Sequence, residues 1–410
     1  MRASLNSRSA SPSSEILPRQ EKCPIVLIAE TFGLSQGGAE IYMARLVRFL
    51  AKAGHPVRIY VRRPCSDTFD SGVQMEVVPT MRRFRIVWEH RFAHQVAKRM
   101  GSQCEVVLST MPLPGVSHYQ PHSGLYQAAF DAMHNSMDPG IARGLYSMGN
   151  GLNLRRRSLL RMQEQLLTRI PPPHVMTFSR TFRAQLLNAY PSLESSLVTV
   201  PLGVDLDQFR PGRELSNPWR LERKPGKLVL LFAAHNFRLK GLACLLPALR
   251  DALRRGLNAE LLVVGNTQGQ NRSFPMLARH LGLDSHVRFL GTIREHDMGR
   301  LYRSCDALVH PTFSDHCSLV VMEALASGLP VITTRQNGAA ELMESGKQGF
   351  ILDYPNDFRA LTDALLRLQD RDKLAEMSAA AASLRPQMDF AVHAREALAW
   401  LTGNYETPSS

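Results

Sequence analysis

Two acids, Asp315 and Glu323, stand eight positions apart in SDHCSLVVMEALASG and bracket the start of a helix. A carboxylate accepts hydrogen bonds from sugar hydroxyls. One set among Val, Met, Ala and Leu is costly to bury without a polar partner, which makes Glu323 a ligand candidate. Ser318, followed by Leu319, stands at the helix N-cap, where exposed N–H groups attract anions. Arg238 and Lys240, in FAAHNFRLKGL, are cations where a strand passes into a helix, a setting suited to a diphosphate. Gly37 and Gly38, in SQGGAE, open the first helix and leave bare backbone for a ligand to approach. His118 and His122 lie in the Pro- and Gly-rich loop MPLPGVSHYQPHSGLY, at a strand's carboxyl end, where open α/β sheets bind ligands. Each residue also has a plainer reading: capping or surface acid, solvated loop cation, tight turn, structural histidine. Taken together they suit a ligand carrying both phosphate and sugar.

The elements around these residues alternate. Apolar runs at 24–30, 56–61, 105–109, 174–179 and 197–201 predict buried strands, separated by helices at 39–53, 153–169 and up to Tyr190. Further strands are expected at 228–233, 260–265, 287–291, 307–310 and 330–333, with helices at 241–255, 274–281, 295–304 and 319–327. Gly328 and Pro330 end the last of these. Helices at 358–369 and 393–401 are expected to pack around the outside. The order predicts two doubly wound α/β domains facing a central cleft. The expected division is a disordered tail over 1–22, a first domain over 23–203, a crossover linker over 204–227 and a second domain over 228–385. A C-terminal helix and tail over 386–410 is expected to pack back on the first domain.

The composition, 44% hydrophobic and 21% charged, is that of a soluble globular protein, and no apolar run is long enough to span a membrane. The first twenty residues lack the apolar core of a signal peptide, and the six scattered cysteines fit a reducing cytosol better than a disulfide framework. Asp205-Leu206-Asp207 resembles a metal-binding pair but lies in the linker, and is read as a turn and cap; no metal is expected there. A formal charge of +13 predicts attraction to polyanions. Basic stretches at 81–100 and 153–169 read either as domain helices with solvated basic faces or as peripheral contacts with anionic lipid. Nucleic-acid binding is disfavoured, since no helix-turn-helix, RNA-binding or zinc signature is visible. The missing G-x-G-x-x-G argues against a nicotinamide site.

With SQGGAE, PLGVDLDQFRP, NFRLKG, the Asp315–Glu323 block and NGAAELM in view, the chain resembles the retaining GT-B glycosyltransferases of family 4, over nearly all of its length after residue 22. Within that family it looks most like the lipopolysaccharide core glucosyltransferases. The resemblance implies a nucleoside-diphosphate-sugar donor of the UDP-glucose type, held mainly by the second domain without a metal. It implies Lys240 and Arg238 on the diphosphate, Glu323 on the ribose, Asp315 near the transferred sugar where relatives carry glutamate, and His122 (with His118 as the second choice) on the sugar. Relatives place the arginine beside the lysine, where this chain has Leu239. The implied acceptor is a cell-envelope glycolipid or polysaccharide precursor, and the implied place is cytoplasmic, peripheral at the inner face of the membrane. Two other readings stay open: an epimerase-like enzyme on the same fold, and a non-catalytic sugar-nucleotide-binding module.

Overall fold

The computed structural model describes residues 24–33, 37–63, 72–79, 88–100, 106–137, 153–214 and 226–405, with a few single positions between. The expected tail, residues 81–87 of the first basic stretch and most of 215–225 lie outside the described residues.

Among the described residues, the first sheet has seven parallel strands: β1 (Ile25–Ala29), β2 (Val57–Val61), β3 (Val73–Val77), β4 (Val106–Ser109), β5 (His118–Tyr119), β6 (His174–Thr177) and β7 (Leu197–Thr199). Their order is β3-β2-β1-β4-β5-β6-β7. The helices between them are α1 (Gly38–Lys52), α2 (Trp88–Met100), α3 (Tyr126–Asn135), α4 (Leu154–Leu167) and α5 (Arg180–Ala189). Continuous apolar runs form β1 and β4 because both faces are covered, and every residue of the two is buried. Edge strand β3 is half exposed and mixes polar with apolar residues, so its sequence carries no clear strand pattern.

Among the described residues the second sheet has six parallel strands: β8 (Leu228–Ala233), β9 (Ala259–Val264), β10 (Val287–Gly291), β11 (Ala307–His310), β12 (Val331–Thr334) and β13 (Gly349–Leu352). The order is β10-β9-β8-β11-β12-β13. Helices α6 (Leu242–Arg254), α7 (Phe274–His280), α8 (Glu295–Arg303), α9 (Leu319–Ala326), α10 (Phe358–Arg367) and α11 (Arg371–Ala382) flank it. The molecule is thus two Rossmann-like domains. Strand order reverses between β1 and β4 in one sheet and between β8 and β11 in the other. Connections leave such a reversal in opposite directions, so each opens a crevice at the strands' carboxyl ends.

Helix α12 (Phe390–Leu401) returns to the first domain, with Ala394, Ala397, Trp400 and Leu401 buried in the same apolar cluster as Leu27 and Leu46. The return passes a parallel bridge between Val204 and Asp389, and a Cβ on Gly203 would collide with the Phe390 backbone there. His393 fixes the helix. Its Nδ1–H donates to the Pro201 carbonyl at 2.7 Å, which leaves Nε2 to accept from the Tyr42 hydroxyl at 2.9 Å. Burial pushes this imidazole down to about 4, consistent with the neutral ring that the bonding requires.

Helices α2 and α4 turn Phe92, Val96, Leu159, Met162 and Leu166 into the core, while Arg91, His94, Lys98, Arg157 and Arg161 face outward. Both are therefore domain helices with basic outer faces. Among the described residues no helix is long and apolar enough to cross a membrane.

Candidate active site

Strand β8 ends in a loop that reaches Lys240 and Gly241. Gly241 has φ of +85°, and a Cβ there would collide with the Pro311 carbonyl oxygen. Glycine thereby lets the loops after β8 and β11 meet backbone to backbone. That contact delivers the Lys240 ammonium to the second loop, where it donates to Ser314 O at 2.9 Å and Asp315 Oδ2 at 2.6 Å.

Asp315 is fixed by its own backbone, with its N–H on Gln336 O at 3.0 Å and its carbonyl accepting from Gly338 N at 2.8 Å. Burial would raise its carboxyl. Lys240, and then His310, more than offset this and hold it below the usual carboxylate range. His310 Nε2 lies 3.7 Å from the same oxygen and 3.5 Å from Ser318 Oγ, and buried Nδ1 has no hydrogen-bond partner among the described residues. Sequence reasoning passed over His310, yet its position at the carboxyl end of β11 was a usable signal.

Ser318 does occupy the N-cap position of α9, but its side chain does not cap the helix. Asn337 Oδ1 takes the Ser318 N–H at 3.2 Å, and the hydroxyl turns toward His310. Leu319 comes next, and a Cβ on Gly38 would lie 3.3 Å from its Cδ1, so the glycine allows the two domains to close together at this point. A cavity of about 240 Å³ lies here between the domains, with Lys240, His310, Asp315 and Ser318 on one wall and Tyr42 and His122 on the other. His122 is half-buried and its ring packs on Tyr42 and Phe178 at 5.5 Å each. Burial, with His316 adding to it, pushes its imidazole down to about 3, so it works as a neutral hydrogen-bonding ring.

Several expected site residues lie elsewhere. Arg238 turns off the cavity: its Nη1 donates to Ser136 O at 3.4 Å and its guanidinium sits 5.9 Å from the Phe274 ring centroid. There it meets a carbonyl and an aromatic face, while Lys240 takes the Ser314 carbonyl and the Asp315 carboxylate at the loop mouth. Gly37 does not line the cavity, and a Cβ there would meet Glu40 Oε2 at 2.9 Å. His118 is buried in β5 between His174 and Trp400, with ring centroids 5.0 and 4.7 Å away, which removes it as a sugar contact. Asp205 Oδ1 accepts from the N–H groups of Asp207 and Gln208 at 3.1 Å, closing a turn.

Glu323 lies beyond the cavity wall on α9, 8% exposed, and accepts from the Tyr302 hydroxyl at 2.8 Å. Burial pushes it up to about 7, against the lowering influence of the Arg45 charge and the Tyr302 bond. Arg45 reaches across from α1 to Glu295 and donates to Gln208 Oε1 at 3.0 Å. Replacing Arg45 with methionine is expected to move the Glu323 titration above pH 7. A carbon-13 NMR titration of that carboxyl checks it, and an unmoved midpoint refutes the coupling.

Family models match both halves of the chain: Glycosyltransferase Family 4 over residues 36–208, and glycosyl transferases group 1 over 215–384. The chain is a GT-B glycosyltransferase of family 4. Among solved structures, this glycosyltransferase is similar to WaaG, a glycosyltransferase involved in lipopolysaccharide biosynthesis. The TM-score is 0.78 at 20% identity, covering 92% of this chain and 100% of that one. It is also similar to sucrose-phosphate synthase from Thermosynechococcus elongatus, with TM-score 0.76, 18% identity, and 93% and 99% coverage. These likenesses show the fold. A curated relative, D-inositol 3-phosphate glycosyltransferase of Corynebacterium jeikeium, is 32% identical over 206 residues, 46% of this chain and 47% of the relative. Spore coat protein SA of Bacillus subtilis is 28% identical over 220 residues, 50% of this chain and 58% of the relative. The chain spans about half the length of the curated relatives it matches.

Proposed function

We propose that this glycosyltransferase moves a hexosyl group from a nucleoside-diphosphate sugar of the UDP-glucose type to a cell-envelope glycolipid or polysaccharide precursor, with retention of configuration and without a metal. One observation carries the reading: Lys240, Asp315, His310 and Ser318 converge where β8, β11 and the N-terminus of α9 meet, opposite His122. In the reaction the C1–O bond to the diphosphate breaks and a C1–O bond to an acceptor hydroxyl forms, whose proton is released. Negative charge grows on the departing diphosphate. Lys240 and the amides at the start of α9 supply positive charge there, the role that a metal plays in other transferases. In this reading Asp315 and neutral His122, which line the cavity, accept and orient sugar hydroxyls, and Glu323, behind the cavity wall on α9, is assigned to the ribose. HepE of Anabaena, with TM-score 0.69 and 15% identity, has been crystallised with UDP and glucose, which is in keeping with the donor class. The basic outer faces of α2 and α4 suit peripheral contact with an anionic cytoplasmic leaflet.

A panel of UDP-, GDP- and ADP-sugars, scored by thermal shift and by release of nucleoside diphosphate, tests the proposal. One base is expected to raise Tm and to be turned over as its sugar conjugate. No shift with any nucleotide overturns the reading, and conversion of the donor sugar without an acceptor moves it to an epimerase.

A further inference from the structure

The crevice at the β1–β4 reversal, in the first domain, is lined differently from the one just described. It holds a cavity of about 240 Å³ that shares Ala39 and His122 with the interdomain cavity, so the two lie side by side. Its polar lining is acidic. Glu30 leaves the end of β1, Glu40 sits in the first turn of α1, and Glu89 comes from α2. Glu30 pairs with Arg62 and Arg63, and Glu89 Oε1 with Arg155 Nε at 2.7 Å. Those pairs alone would be ordinary fold contacts.

Two groups are left over. Glu89 is 1% exposed, and its second oxygen, Oε2, is buried without a hydrogen-bond partner among the described residues. A buried carboxylate oxygen with no donor is costly and rare, and its residue lines the cavity. Glu40 accepts only from Thr31 Oγ1, at 2.6 Å, and has no ion pair among the described residues. Tyr126 adds a phenol to the same wall, pushed up to about 12 by burial and then by Glu89 and Glu30, so it remains an O–H donor. Carboxylates short of donors, beside a phenol, complement hydroxyl groups. The charge on Glu40, not balanced by an ion pair among the described residues, disfavours an anion, and Arg155, the cation among the described wall residues, is already engaged with Glu89.

We infer that this crevice seats the acceptor through its hydroxyls, and that the seated unit is a sugar ring or polyol bearing no phosphate or carboxylate. The chain's net positive charge therefore says nothing about the acceptor at the point of reaction; the basic residues lie on the outer faces of α2 and α4. The inference rests on the glycosyl-transfer reading above, which sets the transferred sugar against His122, a residue that also lines this crevice.

The test uses the full chain saturated with the nucleoside diphosphate that gives the largest thermal shift. Saturation-transfer NMR compares methyl glucoside, methyl glucosaminide and myo-inositol with glucose 6-phosphate, methyl glucuronide and inositol 1-phosphate. The uncharged and amino compounds are expected to bind and the anionic ones to bind at least about tenfold more weakly. Glu40→Gln is expected to weaken binding of the methyl glycosides about tenfold, the loss of one charge-assisted bond, while the nucleotide thermal shift stays as in wild type. Glu89→Gln, if it folds, is expected to do the same. Equal or tighter binding of the anionic compounds, transfer to no compound, or an unchanged affinity in Glu40→Gln overturns the inference. Failure of every nucleotide to shift Tm would instead sink the glycosyl-transfer reading itself.

Discussion

Lys240→Ala is expected to lower donor turnover at least tenfold, a loss of ~1.4 kcal/mol or more of transition-state stabilisation. Two effects add. The first is the missing positive charge where the diphosphate departs. The second acts through Asp315, whose carboxyl is held below its usual range chiefly by this ammonium, 2.6 Å away, against burial. Without the lysine, burial drives Asp315 toward its neutral form, and its ability to accept from sugar hydroxyls falls. Asp315→Asn separates the effects, since it keeps the cation and removes only the carboxylate. Nucleotide affinity is expected to drop in Lys240→Ala and to hold in Asp315→Asn, with turnover reduced in both. Isothermal titration with the nucleoside diphosphate and single-turnover kinetics measure the two quantities. Near-wild-type turnover in Lys240→Ala would remove this lysine from the site.

Glu323 gives the second large effect, and here stability and activity move in opposite directions. Burial pushes its carboxyl up to about 7 in the folded chain, from the 4.5 of an ordinary glutamate. An unfolded chain therefore loses this proton from about pH 4.5 upward, while the folded chain keeps it until about pH 7. The unfolded state binds fewer protons throughout that window, so stability falls as pH rises through it and the penalty is constant above. At ~1.4 kcal/mol per unit, the shift corresponds to ~3 kcal/mol. Glu323→Gln removes the ionisation. It is expected to be more stable than wild type by up to ~3 kcal/mol at pH 8 and equal to it near pH 4, by denaturant melts at both values. Donor turnover is expected to collapse in the same variant, and to be abolished in Glu323→Ala, because the proposed ribose contact calls for a carboxylate and an amide is a poor substitute. Equal stability of the two proteins at pH 8 would show that the acid is not strained in the fold.

What the sequence disclosed follows from where information is local. Strands β1, β4, β8, β9 and β11 are legible because parallel strands covered on both faces must be apolar throughout. Strand β3 is not, since an edge position tolerates Gln74 and Glu76, and β5 is only two residues long. Helix α3 hides behind a Pro- and Gly-rich loop. Lys240, Asp315, Ser318 and Gly38 could be named because a loop at a strand's carboxyl end reaches the crevice whatever its course. Arg238 could not be placed, because the direction of a side chain two residues before Lys240 depends on Ser136 and Phe274, from distant segments. The Glu30, Glu40 and Glu89 crevice was invisible for a related reason. Its acids come from three segments, the last inside the most basic stretch of the chain, and only the order of β1 and β4 brings them together.

The pairing of His393 with Tyr42 has a consequence for biosynthesis. These residues lie 351 positions apart, and between them the ribosome makes the whole second sheet. Leu27 and Leu46 thus wait for Ala397 and Trp400 before their apolar surface is closed. Vectorial folding, in which a leading domain completes itself before the next emerges, does not describe this chain. Its leading domain is expected to keep the apolar patch under α12 open until the last residues are made, and to gain full protease resistance only then, which limited proteolysis of stalled nascent chains checks.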